Sequence, residues 1–84
     1  MNILPFPPPQ KLPQVAVSID TAYLAARIAS NIYKDKVAAA EILSLLAGAV
    51  EAGRESIHIP PRLQQYIKAA QNKDVLTTYF SQRN

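Results

Sequence analysis

The sequence predicts an all-α protein, a small helical bundle of three to four helices with an extended proline-rich N-terminal arm, completed by oligomerisation. Three observations predict it. Apolar residues recur at helical spacing through most of the chain, no glycine or proline interrupts residues 20–46, and five of the seven prolines fall within residues 1–14. Residues 1–14 are therefore read as the arm and residues 15–84 as a single helical domain.

Pro5, Pro7, Pro8, Pro9 and Pro13 fix φ and remove backbone donors, which leaves polyproline II geometry for the arm. Val15, Val17 and Ile19 then alternate with Gln14, Ala16 and Ser18, the period of a short half-buried strand or lead-in. Asp20 ends the alternation and is placed to cap the first helix, because its carboxylate can accept from the unpaired amides of the next turn. Leu24, Ile28 and Ile32, with Ala25 and Ala29 beside them, form the apolar stripe of that helix, and Arg27, Ser30 and Asn31 face away. Polar residues around 31–36 interrupt the stripe. Asp35 can cap a second helix running to Ala52, with Gly53 at the left-handed position past its end; a single bent helix is the alternative.

The second helix is the most informative segment. Its polar residues Glu41, Ser44, Gly48 and Glu51 form one narrow stripe. Val37, Ala40, Ile42, Leu43, Leu45, Leu46, Ala47, Ala49 and Val50 cover the rest of the cylinder. A helix apolar nearly all round must be buried nearly all round, and three short partner segments can hardly cover it. The alanines within 38–40 and 47–49 would let another helix approach closely. Residues 56–59 form a brief extended piece that Pro60 and Pro61 end. A helix over about 61–71 follows, with Leu63, Tyr66, Ile67 and Ala70 on its apolar face. Asn72 or Asp74 can cap a last helix in which Val75, Leu76, Tyr79 and Phe80 share a side, before residues 81–84 fray.

Composition narrows the function. A chain of 84 residues hides only about 60% of the surface its unfolded form exposes, so its stability margin is thin. With no cysteine it has neither disulfides, thiolate metal sites nor a cysteine nucleophile, and with one histidine, His58, little to hold a metal. Association is the remaining way to add buried area. The longest apolar run, residues 37–50, contains Glu41 and Ser44 and is shorter than the roughly 20 residues that cross a bilayer. The N-terminal residues lack the basic region and apolar run of a signal peptide, so a cytoplasmic protein is expected. A formal charge of +3 permits nucleic acid as a partner without demanding it.

Catalysis finds little support. Acid–base chemistry needs titratable groups converging in a cleft, and Asp20, Asp35, Glu41, Glu51, Glu55 and Asp74 fall mostly at helix caps and solvated faces. Glu55 and His58 have the spacing of a helical carboxylate–histidine metal pair, but Gly53 and Pro60 argue against a helix there; a surface histidine flanked by Arg54 and Arg62 is the plainer reading. Two glycines do not make a phosphate-cradling loop. No cofactor is expected.

DNA binding is the stronger rival. Residues 15–53 resemble a ribbon-helix-helix unit, in which a short strand pairs with its mate in a dimer and outward strand residues enter the major groove. Here those residues are Gln14, Ala16 and Ser18, of which only Gln14 reads bases well, and the small-residue turn between the helices is missing. A helix-turn-helix reading has the same difficulty, with Arg27, Lys34 and Lys36 as phosphate contacts.

Protein binding has two carriers. Pro5, Phe6, Pro7, Pro8 and Pro9 could dock in an aromatic groove, with Phe6 similar to the anchor of proline-rich ligands of EVH1 domains; alternatively Leu4 and Phe6 pack on this or a neighbouring subunit. Tyr23, Tyr33, Tyr66, Tyr79 and Phe80 exceed what a small core needs, and tyrosine is enriched at interface centres. We expect self-association through Ile42, Leu45, Leu46, Ala49 and Val50, and partner contact through Phe6, Tyr66, Tyr79 and Phe80. In size, lack of catalytic equipment and alanine-rich helical texture, the chain resembles small accessory proteins of temperate phages. That resemblance implies a homo-oligomeric regulator such as an antirepressor, whose partner is a repressor, or an inhibitor of a host enzyme.

Overall fold

In the computed structural model residues 14–81 are described. The expectations for the proline arm, including Leu4 and Phe6, lie outside the described residues, as does fraying over 81–84 except at Ser81, which is still helical.

Strand β1, Val15–Ser18, runs directly into helix α1, Ile19–Asn31. Ser18 rather than Asp20 caps α1: its backbone is still extended, and its hydroxyl accepts from the Thr21 N–H at 3.2 Å. Asp20 instead sits in the first turn, where a carboxylate meets the positive end of the helix dipole. The helix stops at a tight turn. The Ile32 and Tyr33 amides both donate to the Ile28 carbonyl, and Lys34 takes a positive φ of 58°. Asp35 then caps α2, Lys36–Glu51, accepting from the Ala38 N–H at 3.0 Å. The stretch from Ile19 to Glu51 is thus two helices and not one bent helix. Gly53, at φ 72°, ends α2 in the left-handed position expected of it.

Beyond Gly53 the structure corrects the all-α expectation. Residues Ser56–Ile59 form strand β2, which pairs antiparallel with β1, Val15 opposite Ile59 and Ser18 opposite Ser56. Each four-residue strand was legible as an extended piece. The helical hairpin α1–α2 brings the two together and their backbone groups bond to each other. Val17, Ile57 and Ile59 point into the core, while Ala16, Ser18, Ser56 and His58 are exposed on the other face. After Pro60, a 3₁₀ turn at Pro61–Leu63 leads into α3, Gln64–Ala70, and α4, Lys73–Ser81, follows. Asn72 begins α4, its side-chain oxygen accepting from the amides of Asp74 and Val75 at 2.8 and 3.1 Å.

Helix α1 is the hub, packing against α2, α3 and the ribbon. Its buried residues are Ala22, Ala25, Ala26, Ile28 and Ala29, so four of the five are alanine, which lets the neighbouring backbones come close. Ile28, Ile42 and Ile59 are the largest side chains fully enclosed, and Leu24 and Ile32 from the expected stripe are only partly covered. Polar ties also join the elements, among them Tyr66, which donates to Asp35 at 2.6 Å and links α3 to the start of α2, and Arg62, which pairs with Glu41. Among the described residues no buried side-chain nitrogen or oxygen lacks a partner, and no charged side chain is buried.

Candidate interaction surface

Helix α2 divides lengthwise into rows. Ala38, Ala39, Ile42, Leu46 and Ala49 lie against the alanine face of α1 and the core. Beside them run Ala40, Leu43, Ala47 and Val50, spaced by 3, 4 and 3 residues and all exposed, Leu43 at 43% and Val50 at 61%. The spacing keeps these four on one strip of the cylinder, the same strip a helix offers to another helix in a coiled coil. The polar residues Glu41, Ser44, Gly48 and Glu51 form the outermost line. Leu45 belongs to the opposite flank, lining a hollow with Ala52, Ile57 and His58 against the ribbon.

The bare row borders a groove of about 520 Å³. α1 contributes Ile19, Asp20 and Tyr23, and α2 contributes Leu43, Leu46, Ala47, Val50 and Glu51. Its surface is apolar except at one end, where Asp20 from the first turn of α1 and Glu51 from the last turn of α2 stand at the rim. Tyr23 is 53% exposed, an amphipathic side chain held at the groove wall without burial. At the far end of α2 stands Lys36, roughly 22 Å from Glu51 along the axis. Its amine donates to the side-chain and backbone oxygens of Ser30 at the end of α1, at 2.6 and 3.3 Å. The α1–α2 face therefore carries acid at one end, base at the other, and hydrocarbon between.

The residues expected to form an oligomer seam divide accordingly. Ile42, Leu46 and Ala49 are buried within the chain itself, on the side of α2 that α1 covers, with Leu46 also at the floor of the groove. Leu45 and Val50 are exposed, on different flanks. Of the expected partner contacts, Tyr66 and Tyr79 are buried. Tyr66 is held by Asp35 and by an edge-on contact with Tyr33, ring centres 5.4 Å apart, and Tyr79 by an edge-on contact with Phe80 at 5.2 Å. Phe80 remains 51% exposed on α4. Leu43 and Ala47 stood among the apolar residues expected on the second helix and Tyr23 among the excess aromatics, but nothing in that pattern set the bare side of the helix apart from the covered one. The 3-4-3 spacing of Ala40, Leu43, Ala47 and Val50 was the signal that could have grouped Leu43 and Ala47 on one strip.

The chemistry elsewhere is sparse. Asp35, which accepts from Tyr66 and the Ala38 amide, is held below the ordinary aspartate pKa, and Tyr66 is raised by the same hydrogen bond and by burial. This pair is structural, since both groups are spent on each other and on a helix cap. His58 lies exposed on β2 opposite Ala16, off any helix, so it does not form the helical pair with Glu55. No three metal-ligating side chains converge among the described residues. For the DNA reading, one edge of β1 is taken by β2 within the chain. Of the three expected phosphate contacts, Lys36 is held by Ser30, Arg27 lies beside Tyr79 and Tyr23, and Lys34 sits on the turn. No helix among the described residues is long and apolar enough to cross a membrane. No protein-family model matches the chain, and it matches neither a curated protein nor a solved structure.

Proposed function

We propose that this chain is a non-catalytic regulatory protein of the cytoplasm that self-associates and binds a protein partner, in the manner of a phage antirepressor or an inhibitor of a host enzyme. One observation carries the reading. An apolar strip on α2, continued across the groove by Ile19 and Tyr23, is left uncovered by a chain whose own core is otherwise closed. Contiguous apolar surface of this kind marks protein contact in small proteins. The exposed apolar residues also lie in separate places. The strip and groove lie on α1 and α2, Phe80 lies on α4, and Tyr33 lies in the turn after α1. Self-association is assigned to the strip, and contact with a different protein to the aromatics Phe80 and Tyr33, which take over the role expected of Tyr66 and Tyr79.

The test combines three measurements on the full chain. Sedimentation should show a self-associated species. Mixed-sequence DNA at low salt should not be retained. Affinity capture from the native host should recover one protein from the wild-type chain and lose it with Phe80→Asp. DNA retention that falls steeply with salt would overturn the reading in favour of a dimeric DNA-binding protein, of ribbon-helix-helix or helix-turn-helix type.

A further inference from the structure

We infer that the bare strip of α2 is covered by the same strip of a second copy, the two helices running antiparallel about a twofold axis between Leu43 and Ala47. The inference rests on the self-association just proposed and adds its surface, direction and register.

Size complementarity argues for this register. With the axis there, Ala40 faces Val50 of the second copy and Leu43 faces Ala47 of the second copy. Each of the four contacts along the strip then sets a large side chain against a small one, so the helices keep an even separation. Parallel packing in register would instead set Leu43 on Leu43 and Val50 on Val50, with alanine facing alanine between them. The axes would be forced apart at the first two contacts and leave gaps at the others.

Charge argues for the same direction. The groove ends in Asp20 and Glu51, and α2 begins with Lys36. In the antiparallel register Glu51 lies opposite position 39 of the second copy, one turn from its Lys36, whose exposed amine would exchange its contacts with Ser30 for the carboxylate. Parallel packing would bring Glu51 to Glu51 and Asp20 to Asp20, and would align the helix dipoles instead of opposing them. Of the other charges near α2, Asp35 is engaged by the Tyr66 hydroxyl and the Ala38 amide. Glu41 is paired with Arg62, and Arg54 lines the hollow on the ribbon side with Ile57 and His58.

The chain contains no cysteine, so introduced thiols are the only ones. Ala40→Cys and Val50→Cys, both at exposed positions, are made in full-length chains of distinguishable mass and oxidised mildly, separately and mixed. Equal positions on the two copies are then about 15 Å apart along the axis, beyond the span of a disulfide, while 40 and 50 face each other. The expected result is a mixed 40–50 disulfide forming at least tenfold faster than either symmetric one, with wild type sedimenting as a dimer. A fast symmetric disulfide at 40 or at 50 would overturn the antiparallel register. A dimer with no accelerated disulfide would place the contact on another face, overturning this inference alone. A monomer at every concentration, as when residues 1–13 of the same chain fill the groove, would overturn the inference and the proposed self-association together.

Discussion

The two apolar rows of α2 are nearly alike in composition and opposite in fate. Ala38, Ala39, Ile42, Leu46 and Ala49 are enclosed by α1 and the core, whereas Ala40, Leu43, Ala47 and Val50 meet solvent. Hydrophobicity does not separate them. The separation comes from α1, whose four buried alanines form a flat face that fits one row and leaves the other bare. α2 is thus apolar on two flanks and covered within the chain on one, and the proposed self-association starts from that difference.

Substitutions can break the comparison from either side. Ile42→Ala has the largest expected effect. It empties a fully enclosed position and should cost about 2–5 kcal/mol in urea denaturation, a large part of the stability of so small a domain. A loss of only a few tenths of a kcal/mol would mean that the covered row is not tightly covered. Gly53→Ala comes next. Its φ of 72° is strained for a side chain, and the turn it makes carries α2 into the ribbon that closes the core. The expected cost is about 1 kcal/mol.

Gly48→Ala should act in the opposite direction. Nothing lies within 4 Å of a β-carbon added there, so the substitution should stabilise the helix by roughly 0.5–1 kcal/mol. It should also leave association unchanged, because Gly48 is on the polar line beside the bare row. Loss of the associated species in this variant would move the seam onto that line.

The smallest effect sharpens the boundary at the start of α2 and shows only in pH dependence. The Asp35 carboxylate is stabilised by Tyr66, so its pKa is lower folded than unfolded. The resulting stability is present above about pH 4 and is lost as pH falls through the lowered value. Tyr66 is raised in the folded state, so its share is complete below about pH 10 and is lost as pH rises through the raised value. Tyr66→Phe should flatten the thermal melting profile at both ends. A profile identical to wild type would show that the tie contributes nothing.

Local signals were readable in the sequence, and relations between segments were not. Asp35, Gly53 and Asn72 announced their caps because each bonds, or bends, within a few residues of itself. Asp20 misled because Ser18 is also a good cap and the extended run ends one residue earlier than the alternation suggests. The pairing of Val15–Ser18 with Ser56–Ile59 joins segments separated by a whole helical hairpin, which no short-range pattern encodes. The covered side of α2 was hidden for a related reason. Its apolar pattern supports several burial faces, and the alanine face of another helix makes the choice. An oligomeric contact was expected from excess apolar surface alone; Ile42, Leu46 and Ala49, expected in it, are buried within the chain itself, and the proposed contact uses the neighbouring exposed row instead.

The most direct test compares Leu43→Asp with wild type by sedimentation velocity and circular dichroism at matched concentrations. We expect wild type to sediment as a dimer and the variant as a monomer, with helicity and melting temperature nearly unchanged, since Leu43 is outside the core. A variant that unfolds as Ile42→Ala does, or that sediments as wild type does, would contradict the division of α2 into one row for the fold and one for another chain.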